Sequence, residues 1–146
     1  MTIYFDMDGT IANFFGVKGW KNSIDREETT PYEIAEPLYN REEMDAVMTE
    51  LKNHGYKIGI ITYVAYGATK EYADRIRKAK RNWLKKNFPY ATEIHMTDHK
   101  TPKHYTAKDN GILVDDCKEN RDRWNKGATI NAYRADLVKE LRKLTA

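Results

Sequence analysis

The stretch Thr2–Thr10, TIYFDMDGT, decides the fold and locates the chemistry of this chain. Its first four residues have the β-branched and aromatic side chains of a strand, and Gly9 ends that strand in a turn. Ionised carboxylates at the end of a buried strand are costly unless they have a partner. Asp6 and Asp8 therefore indicate a bound cation or a reaction rather than an ordinary acidic turn.

Composition describes an ordinary soluble domain. The chain has 146 residues, 40% of them hydrophobic, and a formal net charge of +3, which is too weakly basic to indicate nucleic-acid binding. A single cysteine, Cys117, excludes an internal disulfide and fits a reducing compartment. The sequence has neither a signal peptide nor an apolar run long enough to span a membrane. We expect one cytoplasmic domain over residues 1–146 without membrane contact; the sequence carries no signal for oligomeric state.

Strand-like and helix-like segments alternate along most of the chain. This alternation predicts an α/β fold, a three-layer Rossmann-like sandwich around a parallel sheet of about five strands. The predicted strands are residues 2–5, 56–62, 93–97, 112–114 and 128–133. Helices are predicted around residues 44–51, from about residue 69 to before Pro89, at 119–126 and from 137 onward. Glycines and prolines interrupt residues 13–40, which we interpret as a small cap insertion after the first strand.

Polar side chains follow three of the predicted strands. Asp6 and Asp8 follow the first, Thr62 ends the second, and Asp115 and Asp116 end the fourth. Because ligands of open α/β sheets bind outside the carboxyl ends of the strands, these groups are expected to converge. Oxygen ligands of this kind suit Mg²⁺. The set fits phosphoryl transfer, with Asp6 as nucleophile and Asp8 as general acid and base.

A cation for the phosphoryl group is expected just before the fourth strand. Lys103 is the first choice, and Lys100 and Lys108 are alternatives. The residues predicted to bind phosphate are therefore Lys103, Thr62 and Thr10. The predicted metal ligands are Asp6, Asp8, Asp115 and Asp116, with Asp8 contributing its backbone carbonyl.

These residues resemble the motifs of the haloacid dehalogenase superfamily of phosphohydrolases. Asp6–Thr10 matches the first motif, Thr62 the second, Lys103 the third, and Asp115-Asp116 the paired-acid fourth motif. The resemblance implies Mg²⁺-dependent hydrolysis of a phosphomonoester through an aspartyl-phosphate on Asp6, with the insertion in the position of a small cap.

The strings around the first and fourth motifs look like the 5′(3′)-deoxyribonucleotidase branch, which implies a nucleoside 5′-monophosphate as substrate. Tyr63, Tyr66 and Trp20 are candidates to stack on its base, whereas Phe14 and Phe15 are expected in the core of the cap. Three alternatives stay open: another small phosphorylated metabolite, a phosphorylated nucleic-acid terminus, and a catalytically idle binding domain on the same scaffold.

The helix that begins near residue 69 is rich in cations. Because acidic residues interrupt them and the apolar stripe faces the sheet, we interpret them as a solvated helix face rather than a nucleic-acid interface. The cations are Lys70, Arg75, Arg77, Lys78, Lys80, Arg81, Lys85 and Lys86.

Overall fold

A five-stranded, all-parallel sheet forms the centre of the computed structural model, which describes all 146 residues. The strands are β1 (Thr2–Phe5), β2 (Lys57–Tyr63), β3 (Glu93–Thr97), β4 (Gly111–Asp115) and β5 (Thr129–Asn131). Their order in the sheet is β3-β2-β1-β4-β5. Phe5 pairs with Ile60 on one side and with Val114 on the other, so β1 occupies the middle of the sheet. The predicted α/β sandwich is confirmed.

Seven α-helices connect and cover the strands. They are α1 (Trp20–Asp25), α2 (Thr30–Ile34), α3 (Arg41–Asn53), α4 (Lys70–Asn87), α5 (Lys103–Thr106), α6 (Lys118–Arg123) and α7 (Leu137–Arg142). None of these helices combines the length and the apolar character needed to cross a membrane.

Alternation along β1 divides the core between the two faces of the sheet. Ile3 and Phe5 pack in a cluster of 22 buried residues that includes the apolar faces of α3, α7 and the second half of α4. Tyr4 points to the other face, where it packs with Leu113 and Trp124. Helices on both faces explain why the central strands are continuously apolar.

Trp124 also explains why α6 is shorter than the sequence predicts. The helix was expected to continue to residue 126, but it ends at Arg123 and Trp124 takes an extended conformation. The indole of Trp124 is buried, and its Nε1 donates a hydrogen bond to the Gly111 carbonyl over 3.0 Å. Burial of this ring thus outweighs continuation of the helix.

The insertion at residues 13–40 contains a 3-10 helix (Phe14–Gly16), α1 and α2. The ring of Phe14 stacks on Tyr32 at 4.7 Å between centroids and lies 5.4 Å from Trp20. The Tyr72 hydroxyl on α4 donates to the Glu28 carbonyl over 2.8 Å. The cap is therefore a small aromatic cluster that packs against the first half of α4.

Candidate active site

The first carboxylates are fixed by the end of β1 and the turn after it. The Asp6 amide donates to the Val114 carbonyl over 3.0 Å, which extends the pairing of β1 with β4 by one residue. Gly9 has a φ of +83°, and a Cβ at this position would lie 2.3 Å from an Asp116 carboxylate oxygen. The left-handed backbone favours glycine, and a side chain at this position would also displace the Asp116 carboxylate.

Three carboxylates converge at the carboxyl ends of β1 and β4. Asp6, Asp115 and Asp116 each offer an oxygen, and these oxygens lie within 4.8 Å of one another. Asp6 and Asp115 are buried, and Asp116 is partly buried. The predicted convergence of the first and fourth motifs is present in the structure.

Lys103 joins two of these acids. Its Nζ donates to Asp6 over 2.8 Å and to Asp115 over 2.7 Å. Burial by itself would lower the pKa of the Lys103 ammonium, but the two carboxylates raise it above its usual range, so the side chain is charged. Lys100 and Lys108 are exposed. Among the three candidate lysines, Lys103 is the one in contact with the acidic cluster.

The cluster keeps an excess of negative charge. Three carboxylates against the single ammonium of Lys103 leave two negative charges when all are ionised. Burial and the neighbouring Asp6 raise the pKa of Asp115. Burial, Asp6 and Asp115 raise the pKa of Asp116 to about 7. A divalent cation bound through oxygen ligands would relieve this repulsion between the carboxylates.

Asp115 is held by a set of hydrogen bonds from its own loop. The Cys117 amide donates to one carboxylate oxygen over 2.9 Å, and the Asn120 side chain donates to the other over 3.1 Å. Arg121 donates to the Asp115 carbonyl over 3.0 Å. Asn120, which follows the fourth motif in the sequence string that resembles the deoxyribonucleotidase branch, and Arg121, which the sequence analysis did not single out, are positioning residues for Asp115.

Thr10 has a different role from the predicted contact with phosphate. Its hydroxyl is buried, lies 3.2 Å from both Asp6 and Asp116, and accepts the Asp116 amide over 3.1 Å. Thr10 does not line the cleft described below. The tight turn at Gly9 directs this side chain inward, where it links the first and fourth motifs.

Lys80 on α4 was not identified from the sequence as a site residue. Its Nζ donates to Asp8 over 3.0 Å, to the Thr62 hydroxyl over 2.7 Å and to the Tyr63 carbonyl over 2.7 Å. The ammonium also lies 5.2 Å from the ring centroid of Tyr32 in the cap. These contacts satisfy all three donors of the ammonium, which offsets its desolvation.

The interpretation of Lys80 as part of a solvated helix face is wrong. The residue is fully buried, and it lies four residues after Ile76 and four before Leu84, both in the apolar stripe of α4. This spacing was the signal in the sequence, because residues four apart share a helix face. Asp8, its partner, has a pKa raised by burial, an effect that Lys80 opposes.

A cleft of about 630 Å³ opens above the acids. Asp6, Asp8, Thr62 and Asp116 contribute to its lining, whereas Lys103 and Asp115 are buried outside it. The remaining lining residues are mainly aromatic or polar and include Phe14, Phe15, Trp20, Lys21, Tyr32, Tyr63, Tyr66, His99, Asn120 and Arg123.

The three predicted substrate-contacting aromatics all line this cleft. Tyr63 is half-buried, its hydroxyl donates to the Thr101 carbonyl over 2.9 Å, and its ring lies 4.8 Å from that of His99. Tyr66 is 81% exposed at the rim. Trp20 belongs to the cap cluster as well. Phe14 is buried as expected, but Phe15 is 53% exposed and lines the cleft, so it does not belong wholly to the core of the cap.

Comparison with known proteins gives no assignment for this site. No family model matches the chain, and no curated protein matches it.

Proposed function

We propose that this protein is a Mg²⁺-dependent phosphomonoester hydrolase of the haloacid dehalogenase type, in which Asp6 accepts the phosphoryl group. The observation that carries the proposal is the position of Asp6. Its carboxylate lines an open cleft at the carboxyl edge of the sheet, beside two further acids and in contact with a buried lysine. A nucleophilic carboxylate needs this combination of access, orientation and neighbouring positive charge.

In the first half-reaction, a carboxylate oxygen of Asp6 attacks phosphorus and the bond from phosphorus to the ester oxygen breaks. Asp8 donates its proton to the departing alkoxide, which leaves as the alcohol. Burial raises the pKa of Asp8, and a raised pKa favours the protonated form that this step requires. Lys103 holds the Asp6 carboxylate in place during attack.

In the second half-reaction, Asp8 is a carboxylate and acts as the base. It takes a proton from a water molecule that attacks the phosphorus of the aspartyl-phosphate. The bond from phosphorus to Asp6 then breaks, inorganic phosphate leaves, and both side chains return to their starting states. The Thr62 hydroxyl lines the cleft next to Asp8 and is available to donate to a phosphoryl oxygen.

The residues present fit a magnesium ion. Asp6 and Asp115 or Asp116, together with the backbone carbonyl of Asp8, would hold it through oxygen atoms. The two excess negative charges of the cluster support this assignment. When bound, the ion would neutralise charge on the phosphoryl group.

For the substrate, we propose a nucleoside 5′-monophosphate. The cleft volume of about 630 Å³ falls within the ~300–1,000 Å³ of typical ligand sites. Trp20, Tyr63 and Tyr66 line the same cleft as the acids. Every nucleobase can stack on an aromatic ring, so these side chains are suited to a nucleotide.

Phosphate release tests the proposal directly. Purified protein would be assayed with nucleoside monophosphates, sugar phosphates and an aryl phosphate, with Mg²⁺ and after exhaustive chelation. We expect release that requires the metal and that Asp6→Asn abolishes. Asp122→Asn, at an exposed acid of α6, is the matched control and should retain full activity. Release that survives chelation, or that survives Asp6→Asn, would contradict the proposal.

A further inference from the structure

A second depression lies outside the cleft, on the outer face of α4. We call it the α4 groove; its volume is about 460 Å³, and no apolar residue lines it. Its lining residues are Asp74, Arg77, Lys78, Arg81, Asn82 and Lys85. Four cations against one carboxylate make it strongly positive.

The positive charge of the α4 groove is largely unpaired. Its one carboxylate, Asp74, is already bound by Arg77 at 3.0 Å and by Lys70 at 3.1 Å. Lys78, Arg81 and Lys85 are exposed and form no ion pair. Spacings of three and four residues put these three cations along one side of the helix. The groove is therefore suited to an anion with several charges in a row.

The α4 groove contacts the end of β3, just before the loop that borders the cleft. Arg77 donates to the Met96 carbonyl near the end of β3, over 3.4 Å. The loop after β3 contains His99, which lines both the cleft and a small adjoining depression together with Tyr66. The contact of Arg77 with Met96 therefore lies three residues before His99, which lines the cleft together with the exposed ring of Tyr66.

Contrary to the interpretation of these cations from the sequence as a solvated helix face, we propose that the α4 groove binds the phosphate backbone of a single-stranded nucleic acid whose terminal phosphomonoester enters the cleft. The inference rests on the proposed phosphatase activity, and it extends the substrate class from mononucleotides to strand ends. Cations combined with aromatic rings are typical of single-strand binding. The absence of apolar residues from the groove disfavours a membrane surface.

Binding to an inactive enzyme tests the α4 groove separately from catalysis. Asp6→Asn protein would be titrated with fluorescent oligothymidylates phosphorylated at either end, and anisotropy would be recorded over a range of salt concentrations. In this background we expect Lys78→Ala/Arg81→Ala/Lys85→Ala to weaken binding about tenfold or more. A plot of the logarithm of the association constant against the logarithm of salt concentration should become less steep by about 2. Each single-strand phosphate contact contributes ~0.7 to this slope, and the variant removes three cations.

The matched control removes the same charge elsewhere. Lys139 and Arg142 are exposed on α7, and the exposed Lys143 follows the end of that helix. Their triple alanine variant should leave binding and slope unchanged. Equal weakening by both triple variants, or equally effective competition by polyglutamate, would overturn the proposal. In the active enzyme, the α4 triple variant should raise KM for the oligonucleotides and leave mononucleotide turnover unchanged.

The two proposals fail in different ways. Absence of phosphate release from every substrate, with groove-dependent oligonucleotide binding intact, would refute the phosphatase and leave the binding surface standing. If the protein released phosphate from mononucleotides in a metal-dependent manner but the α4 triple variant bound oligonucleotides as tightly as its parent, only the binding surface would be refuted.

Discussion

The buried ammonium of Lys80 lies 3.0 Å from the carboxylate of Asp8. This contact joins the middle of α4 to the turn after β1, and the same ammonium binds Thr62 at the end of β2. One side chain therefore orients both the proposed acid and base and the proposed phosphate ligand. Lys80 does not line the cleft itself, so it acts as a positioning residue.

Replacement of Lys80 should impair catalysis through Asp8. We expect Lys80→Met to lower kcat about 10–100-fold, the usual effect of losing a residue that orients a site group. A double-mutant cycle with Asp8→Asn separates this role from a general structural one, because the two losses should be far from additive. Lys86→Met, at an exposed lysine of α4, is the control and should be neutral. Fully additive losses would show that Lys80 acts independently of Asp8.

The Asp8→Asn variant should reveal which substrates need an acid. We expect turnover of alkyl phosphates to fall by roughly 10²–10⁴, the scale of general acid catalysis. Aryl phosphates should lose much less, because their leaving groups scarcely require a proton. Rates measured over a series of leaving-group pKa values would give this dependence. A loss of equal size for all leaving groups would rule out Asp8 as the acid.

The Asp116→Asn variant should stabilise the metal-free protein. The raised pKa of Asp116, about 7, lies above the ~3.9 of an unfolded Asp. The folded state therefore binds more protons between these values, and the free energy of unfolding falls as pH rises through them. The variant, whose amide oxygen can still accept from Thr10, should remove the part of that pH dependence that Asp116 contributes.

Thermal unfolding with a chelator measures this effect. At about pH 8 the Tm of Asp116→Asn should exceed that of the wild type, by ~2–4 °C for each kcal/mol of relieved repulsion. Mg²⁺ should raise the wild-type Tm more than that of the variant. If the wild-type Tm changed neither with Mg²⁺ nor with pH between the two pKa values, a metal site with repulsion between its carboxylates would be contradicted.

The ring of Tyr66 is the clearest test of base recognition, because an exposed ring contributes little to the packing of the fold. We expect Tyr66→Ala to lower kcat/KM for nucleoside monophosphates. The loss should correspond to ~1–3 kcal/mol of transition-state binding, the energy of one stacking contact. Sugar phosphates should be unaffected. Tyr133→Ala removes another exposed tyrosine, outside the cleft, as the control. Equal effects on nucleotides and sugar phosphates would contradict stacking.

Much of the fold could be predicted from local pattern. β1 and β3 have the predicted bounds, and α4 begins and ends within one residue of expectation. Local signals produced this agreement: Thr69 caps α4 by accepting the Tyr72 amide over 3.2 Å, and Pro89 follows its end. The convergence of Asp6 with Asp115 followed from parallel topology, which brings the carboxyl ends of adjacent strands to one edge.

The remaining features depend on tertiary contacts that a single sequence does not display. The spacing of Lys80 places it on the apolar face of α4. Its partners Asp8 and Thr62 are distant in sequence, so only the tertiary fold shows that they bind the buried ammonium. The turn at Gly9 directs Thr10 inward, but its partner Asp116 comes from a loop that only the tertiary fold brings to it. The structure therefore differs from the sequence-based prediction at two polar side chains whose partners lie in other elements of the fold.

We expect Asp6 to become phosphorylated during turnover. Rapid acid quenching with a phosphomonoester labelled at phosphorus, followed by peptide mapping, tests it most directly. With an aryl phosphate, whose leaving group scarcely needs Asp8 as the acid, we expect a transient label on the peptide that contains Asp6. The label should be more abundant in Asp8→Asn, which activates water poorly, and absent from Asp6→Asn. Single-turnover phosphate release without any labelled protein, or a label that persists in Asp6→Asn, would contradict it.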